Sequence, residues 1–532
     1  MDKEAWLEAR QYTPEMLAQA RRVLEMVRAG RALTDAIRSY PQPGGGYLPK
    51  HALVAAYRQL TETGEWPLDD ELLARIRMKP VRTLSGVTTV TVLTKPYPCP
   101  GKCIFCPTDV RMPKSYLPDE PGARRGLEHD FDPYNQVRAR LQALQAVGHP
   151  TDKIELLILG GTWSAYRRDY QKWFVQRCFD AMNGVELPEL EQAQVFNETA
   201  RHRNVGLVVE TRPDHITPDE LAWLRRLGVT KVQMGAQSMD DRILVANQRG
   251  HTATDTLQAT ALLRAAAFKI VLHWMPNLYG ASLASDREDF SRLWDELCPD
   301  EIKIYPTQLL ANADLYAYWL RGEYTPYTTQ QLVDLIADLK PTIPRYCRVN
   351  RVIRDIPSTN VVAGNKRTSL RLDVQAEMRS RGTHCQCIRC REVRKKRVSA
   401  DALSLEDMIY TAGGAEEHFL SFTTLEDHLA GFLRLSLPGT NSPVTGLPDL
   451  QAAALIREVH VYGQALAVGS ENFGAVQHSG LGTQLIQHAE RIALEGGFHR
   501  LAVIAAVGTR QYYLERGFER AEHYLVKTIQ SL

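Results

Sequence analysis

The sequence predicts a multidomain α/β protein: a helical N-terminal segment, a partial (β/α) barrel and a C-terminal α+β domain. Three observations carry this reading. A chain of 532 residues is too long for one hydrophobic core. After residue 80, six short β-rich runs alternate with amphipathic helical stretches, the pattern of a parallel sheet curved toward a barrel. Beyond residue 398 the pattern changes to strand-like segments, then a glycine-rich turn, one long helix and a further strand.

Taken in order, Leu17, Ala20, Val23, Leu24 and Val27 recur at three- and four-residue steps and predict a helix over 16–27. A glycine-rich turn at 44–50 precedes another helix through Leu60, so residues 1–80 read as a small helical domain. The barrel, 81–344, has its strands at 87–93, 154–159, 205–210, 231–234, 270–274 and 302–305. Barrels of this kind work on the loops after the strands' C-terminal ends. Cys99, Gly160 with Gly161, residues 211–214 and Gln237 all stand there. A basic, cysteine-containing linker, 345–398, leads to the last domain, 399–532, with strands at 419–422, 431–436, 454–462 and 501–505 and a helix over 482–495.

Hydrophobic content of 44% and charged content of 24% are ordinary for a globular protein, and no run of eighteen apolar residues appears. The first residues lack an apolar signal core, so the expectation is a cytoplasmic protein without a membrane partner. Nine cysteines are too sparse for a disulfide scaffold, and six of them fall into two tight clusters, which points to metal. Net charge is only +2, yet residues 345–397 hold fifteen Lys or Arg against four Asp or Glu. So uneven a distribution suits a polyanionic partner, because phosphate contacts gain free energy from counterion release.

The first cluster, YPCPGKCIFCP, sets Cys99, Cys103 and Cys106 at C-x3-C-x2-C spacing directly after the first barrel strand. Three thiolates on one loop can hold three irons of a 4Fe-4S cluster and leave the fourth open. A zinc knot would need a fourth ligand nearby, and residues 107–128 contain no His or Cys. The motif resembles the radical-SAM family, in which S-adenosylmethionine chelates the open iron and is cleaved to a 5'-deoxyadenosyl radical. Gly160 and Gly161 then look like the family's glycine pair beside the methionyl amino group. The second cluster, GTHCQCIRCREV, places Cys385, Cys387 and Cys390 among arginines, which favour thiolates. A closed zinc site fits it, with His384 or Cys347 as the fourth ligand. Cys178 and Cys298, in apolar helical contexts, read as core.

In the last domain, Gln477, Gly480 and Gly482 form a Q-x-x-G-x-G turn that opens a long amphipathic helix, where backbone amides and the helix dipole suit a pyrophosphate. A dinucleotide site is not indicated, since no βαβ unit with a following acidic residue is present. The order of strand, turn, helix, strand and TRQYYLERGF resembles the GNAT acetyltransferases. That resemblance puts the CoA pyrophosphate on the turn and makes Tyr513, or else Tyr512, the general acid at the thiolate.

KPVRTLSGV, LGGT, ETRPD, KIYPT, RDIP, REVHVYG and AVGTRQYY are similar to the Elongator catalytic subunit, and the resemblance runs from about Pro80 to the C-terminus. It implies a prokaryotic stand-alone member that uses SAM and acetyl-CoA to form 5-carboxymethyluridine at the wobble uridine of tRNA. The implied route takes a hydrogen from the acetyl methyl, adds the carbon radical to uracil and hydrolyses the thioester, with an electron donor as a further partner. It also implies acetyl-CoA contacts at Lys153, at Glu458, Val459, His460 and Val461, at Leu481, Gly482 and Thr483, and at Tyr513. For tRNA, the candidates are Arg75, Arg77, Lys79 and Arg82 in the N-terminal part and Arg394, Lys395, Lys396 and Arg397 in the linker. A protein lysine acetyltransferase and a non-catalytic RNA-binding scaffold are the competing readings. Homo-oligomerisation stays open.

Overall fold

The computed structural model describes residues 12–42, 46–79, 83, 85–394, 396, 398–462 and 480–530. The N-terminal lobe is helical. Helix Pro14–Arg28 is opened by Thr13, whose side chain accepts the Met16 N–H, and helix Asp70–Ile76 by Asp69, which accepts the Leu72 N–H. Together with helix Lys50–Glu62 they bury a separate core that includes Val23, Leu24, Leu53 and Tyr57. The lobe joins the next through Arg77, whose Nε donates to the Gly148 carbonyl at 2.7 Å, and through Met78 N–H to the Val147 carbonyl at 3.1 Å.

Seven strands form the first sheet, every neighbouring pair parallel and in chain order: β1 (Thr88–Leu93), β2 (Lys153–Leu159), β3 (Arg203–Thr211), β4 (Lys231–Gln237), β5 (Lys269–Trp274), β6 (Glu301–Ile304) and β7 (Arg348–Arg351). The first six overlie the runs read from sequence. The seventh, RVNR, carries no hydrophobic alternation and is hidden inside the basic stretch; it pairs with β6. Crossover helices such as Arg168–Asn183 cover the outer face, burying Phe174, Val175, Cys178 and Phe179. Since successive strand residues alternate faces, the inner face is lined by the other set. That set mixes Leu93, Leu157, Leu159 and Val208 with many charged and polar side chains, and it shapes the site described below.

The second sheet has the order β13-β14-β12-β11-β10-β9-β8. It contains β8 (Ser404–Ala412), β9 (Ala415–Thr423), β10 (Leu429–Pro438), β11 (Ala454–Val461), β12 (Arg500–Val503), β13 (Glu519–Arg520) and β14 (Leu525–Thr528). β8 to β11 run antiparallel, whereas β11 and β12 pair in parallel only over Ala454–Ile456, so β11 continues to Val461 unpaired on that side. Helix Leu481–Glu495 buries Leu485, Ile486 and Ala489 and contacts β10 and β11. Edge strand β8 escaped the sequence reading because its polar and apolar residues mix (SLEDMIYTA), and β13 and β14 because they are short.

The two sheets meet through buried charge. Asp300, just before β6, takes both Nη atoms of Arg457 on β11, at 3.0 and 2.5 Å, and has Arg434 Nη1 of β10 at 3.4 Å. Glu417 of β9 pairs with Arg457 at 2.8 Å and with Arg264 at 3.2 Å, and none of these five side chains is more than 1% exposed. Burial opposes ionisation of Asp300, but Arg457, Arg434 and Arg264 outweigh it and hold the carboxyl well below its usual range. Among the described residues no helix is long and apolar enough to cross a membrane.

Candidate active site

One cavity of about 980 Å³ runs through the inner face of the first sheet and is continuous with the second lobe. Cys106 lines it at one end and Tyr513 at the other. Between them the strands present polar side chains in linked layers. Nearest the second sheet, Lys231 Nζ contacts Glu155 at 2.6 Å and Glu301 at 3.3 Å. Lys269 lies 3.3 Å from Glu301 and also pairs with Glu458 of β11. Further along the strands, His273 Nε2 lies 3.2 Å from Gln233 Oε1, which also accepts from Lys303 Nζ. Glu210 then lies 3.6 Å from His273 Nδ1 and accepts the Tyr116 hydroxyl at 2.6 Å. Burial opposes ionisation of Glu301 as well, and Lys231 and Lys269 overcome it. Burial pushes Lys303 down to about 8, and burial together with Lys303 keeps His273 far below its usual range.

The cysteine loop after β1 closes the far end. Cys99 Sγ lies 3.6 Å from Thr162 Oγ1, and Arg249 Nη1 donates to Cys103 Sγ at 3.3 Å. Burial raises the Cys106 thiol to about 11 against a hydrogen bond from Ser115. The three sulfurs are not drawn into a single knot, as ligands to separate irons must not be. Among the described residues Arg212 Nη1 and Arg249 Nε, buried beside them, have no hydrogen-bond partner, positive groups suited to an anionic cluster or ligand. Gly160 and Gly161 follow β2 directly. A Cβ on Gly160 would overlap Thr94 Oγ1, and Gly161 at φ +88° approaches the Lys114 carbonyl, so neither position admits a side chain.

The second triad is drawn into a knot: the Cys385, Cys387 and Cys390 sulfurs all lie within 4.8 Å of one another. Neither fourth-ligand candidate joins that group. His384 is exposed, while Cys347 is buried behind Cys387 and accepts the Ile388 N–H at 2.9 Å through its carbonyl. Cys178 and Cys298 are buried, as expected of core residues.

In the second lobe, Glu458, Val459 and His460 line the cavity with Tyr513, and Val461 lies beside them on the same strand, off the lining. His460 Nε2 is buried with no hydrogen-bond partner among the described residues, and burial pushes the ring down to about 4. Gly480, at φ +73°, caps the helix that begins with Leu481. A Cβ on Gly482 would meet the Tyr512 hydroxyl at 2.5 Å, and Thr483 Oγ1 accepts from Arg516 Nε at 3.1 Å. Tyr512 thus packs against the turn, under the Arg516 guanidinium at 3.5 Å, and does not line the cavity. Gln477, Arg82, Lys395 and Arg397 lie outside the described residues.

Residues 97–291 match the radical SAM superfamily and residues 299–380 the radical SAM C-terminal domain. A tRNA uridine(34) acetyltransferase of Dehalococcoides mccartyi is 43% identical over 453 residues, covering 84% of this chain and 98% of that protein. The Elongator complex protein 3 of Saccharomyces cerevisiae is 34% identical, covering 86% of each. The chain belongs to the Elongator protein 3 family. A solved archaeal Elp3, from Methanocaldococcus infernus with N-terminal residues 1–46 deleted, superposes with a TM-score of 0.74 at 38% identity, covering 84% of this chain and all of that one.

Not every expected site residue of this Elongator-family protein reaches the cavity. Lys153 opens β2 on the same face as Glu155, one step beyond the lining, and burial lowers its pKa. Arg75 donates to the Val27 and Arg31 carbonyls at 3.1 Å each, closing the end of helix Pro14–Arg28, and Arg77 is the lobe clasp described above. Lys79 is exposed. Arg394 lines the cavity with Arg371 and Arg389, while Lys396 contacts His428. Sequence reasoning missed the charged barrel interior. Its signal was there: Lys231 and Gln233 on β4, and Glu301 and Lys303 on β6, are polar residues at period two in strands that helices flank on both sides.

Proposed function

We propose that this enzyme modifies the wobble uridine of tRNA, using SAM radical chemistry in the barrel and acetyl-CoA on the second lobe to give 5-carboxymethyluridine. One observation carries the reading: a single cavity joins the Cys106 end of the barrel to Tyr513 of the acyl lobe. The relatives named tRNA uridine(34) acetyltransferase support it. We read the second lobe as a GNAT domain, on the splay of β11 from β12 and the glycine turn that opens the following helix. The four-part division at residues 80, 344 and 398 belongs to the same reading.

Cys99, Cys103 and Cys106 would hold a 4Fe-4S cluster, with Gly160 and Gly161 leaving room for the methionyl end of SAM. The cluster and SAM together supply a hydrogen-abstracting radical. The chain's own residues then do the rest. The Gly480–Thr483 turn offers helix N-terminal amides to a pyrophosphate. Glu458, Val459 and His460 bound the acyl end, and Tyr513, its hydroxyl kept protonated by burial, can donate a proton to a departing thiolate. Arg371, Arg389 and Arg394, which line the cavity, would meet an RNA backbone. The second cysteine triad would hold zinc and pin that basic segment to the barrel.

A lysine acetyltransferase would need neither the cysteine loop nor a cavity that reaches it. Anaerobically reconstituted protein with tRNA, SAM, reductant and labelled acetyl-CoA separates the readings. Label on uridine is the expected result; label on protein lysines, or on nothing, contradicts it.

A further inference from the structure

The cavity has its cofactor sites at opposite ends of the same strands. On β5, Lys269 touches the acyl lobe through Glu458, while His273, four residues on, connects through Glu210 and Tyr116 to the segment that follows the cysteine loop. Four residues of strand span roughly 13 Å. The acetyl group from one end must meet both the radical from the other end and the base it joins, which sets the base against the middle layer, where Gln233, Lys303 and His273 face the cavity. All three side chains belong to residues under 10% exposed.

Lys303 differs from the other cations that the strands present to this space; Arg371, Arg389 and Arg394, which also line it without a carboxylate among the described residues, come from the segment after β7. Lys231 and Lys269 hold Glu155, Glu301 and Glu458, Arg348 holds Glu392, Arg351 holds Asp355 and Arg354 holds Glu120. Among the described residues Lys303 has no carboxylate within 4.0 Å; its one hydrogen-bond partner is the Gln233 carbonyl oxygen, which His273 also engages. A buried ammonium with three donors and one neutral acceptor has unfilled capacity, and burying a charge in that state is costly unless a ligand completes it.

Resting on the wobble-uridine reading above, we propose that Lys303 reads the substrate base, its Nζ donating to O4 of uracil, with Gln233 and His273 as positioning residues. The chemistry discriminates. Uracil presents an acceptor at position 4, whereas cytosine presents an amino group there, and an ammonium can donate but not accept. Cytidine at the same place would leave two donors opposed and the buried charge unsatisfied.

The test is equilibrium binding of anticodon stem-loops to the full-length, cluster-reconstituted protein without reductant, so that no turnover occurs. Three loops differ only at position 34: uridine, cytidine or an abasic site. The wild type should bind the uridine loop about tenfold more tightly than the cytidine loop, in line with one good base contact. Lys303→Met should bring that ratio to about one while leaving affinity for the abasic loop unchanged, which also shows that the variant is folded. A variant that keeps the uridine preference overturns the proposal. So does one that loses affinity for all three loops alike, since that marks Lys303 as a phosphate contact. Wild-type protein that binds uridine and abasic loops equally would instead remove the wobble-uridine reading on which the proposal rests.

Discussion

Replacing Asp300 by Asn tests whether buried charge holds the two lobes in register. The change keeps the side chain's shape and leaves an oxygen for the Ile270 N–H, which Asp300 Oδ2 now accepts at 2.8 Å. What it removes is the anion shared by Arg457 and Arg434, both at most 1% exposed. Glu417 and Glu458 remain against Arg457, Arg434 and Arg264, so one cation is left in excess. Breaking a buried pair by removing one partner costs about 3–5 kcal/mol. A lobe of this size shifts its melting midpoint by about 2–4 °C per kcal/mol, so the transition that reports the second lobe should fall by roughly 6 °C or more. Differential scanning calorimetry with hydrogen exchange across β10 and β11 reads this, the exchange assigning the transition. A midpoint within about 2 °C of wild type, with unchanged protection of those strands, would refute the reasoning.

The same carboxylates set an acid limit. Asp300 and Glu301 have folded pKa values below their unfolded ones, so their contribution is fully present above the unfolded carboxylate range and drains away as pH falls through about 4 toward the folded values. Thermal melts should thus be flat from pH 7 to 5 in this respect and drop steeply below 4. Tyr513→Phe should slow acetyl-CoA turnover by about 10²-fold or more, whereas Tyr512→Phe, off the cavity, should cost far less; stopped-flow thiol release compares them. Gly482→Ala presses on the Tyr512 hydroxyl at 2.5 Å and should weaken acetyl-CoA binding by calorimetry without altering cluster absorbance. Cys103→Ser should do the reverse, abolishing the cluster's visible band and SAM cleavage while acetyl-CoA binding persists.

Much of this was legible in the sequence where function depends on local pattern. The cysteine loop, the glycine pair and the turn at Gly480 stand where strand ends and a helix start were expected, because each motif is tied to the element beside it. β7 was not legible, since four residues without apolar alternation look like linker until β6 pairs with them. Nor was the middle layer. Lys303 and Gln233 lie seventy residues apart, as the ionic clasp joins Asp300 to Arg457 over 157, and no local period encodes which distant charges will meet. Arg75 and Arg77 show the converse: a cation in a basic-looking segment was read as a phosphate contact, yet the fold uses both to satisfy carbonyls at helix and loop ends.

The central claim is that one cavity lets the radical made in the barrel act on the acetyl group held by the second lobe, beside the base that receives it. A single-turnover reaction with trideuterated acetyl-CoA, unlabelled SAM and tRNA tests it directly. The account predicts one deuterium in the recovered 5'-deoxyadenosine and two on the new C5 methylene of the uridine. Modified uridine accompanied by 5'-deoxyadenosine free of deuterium would contradict it.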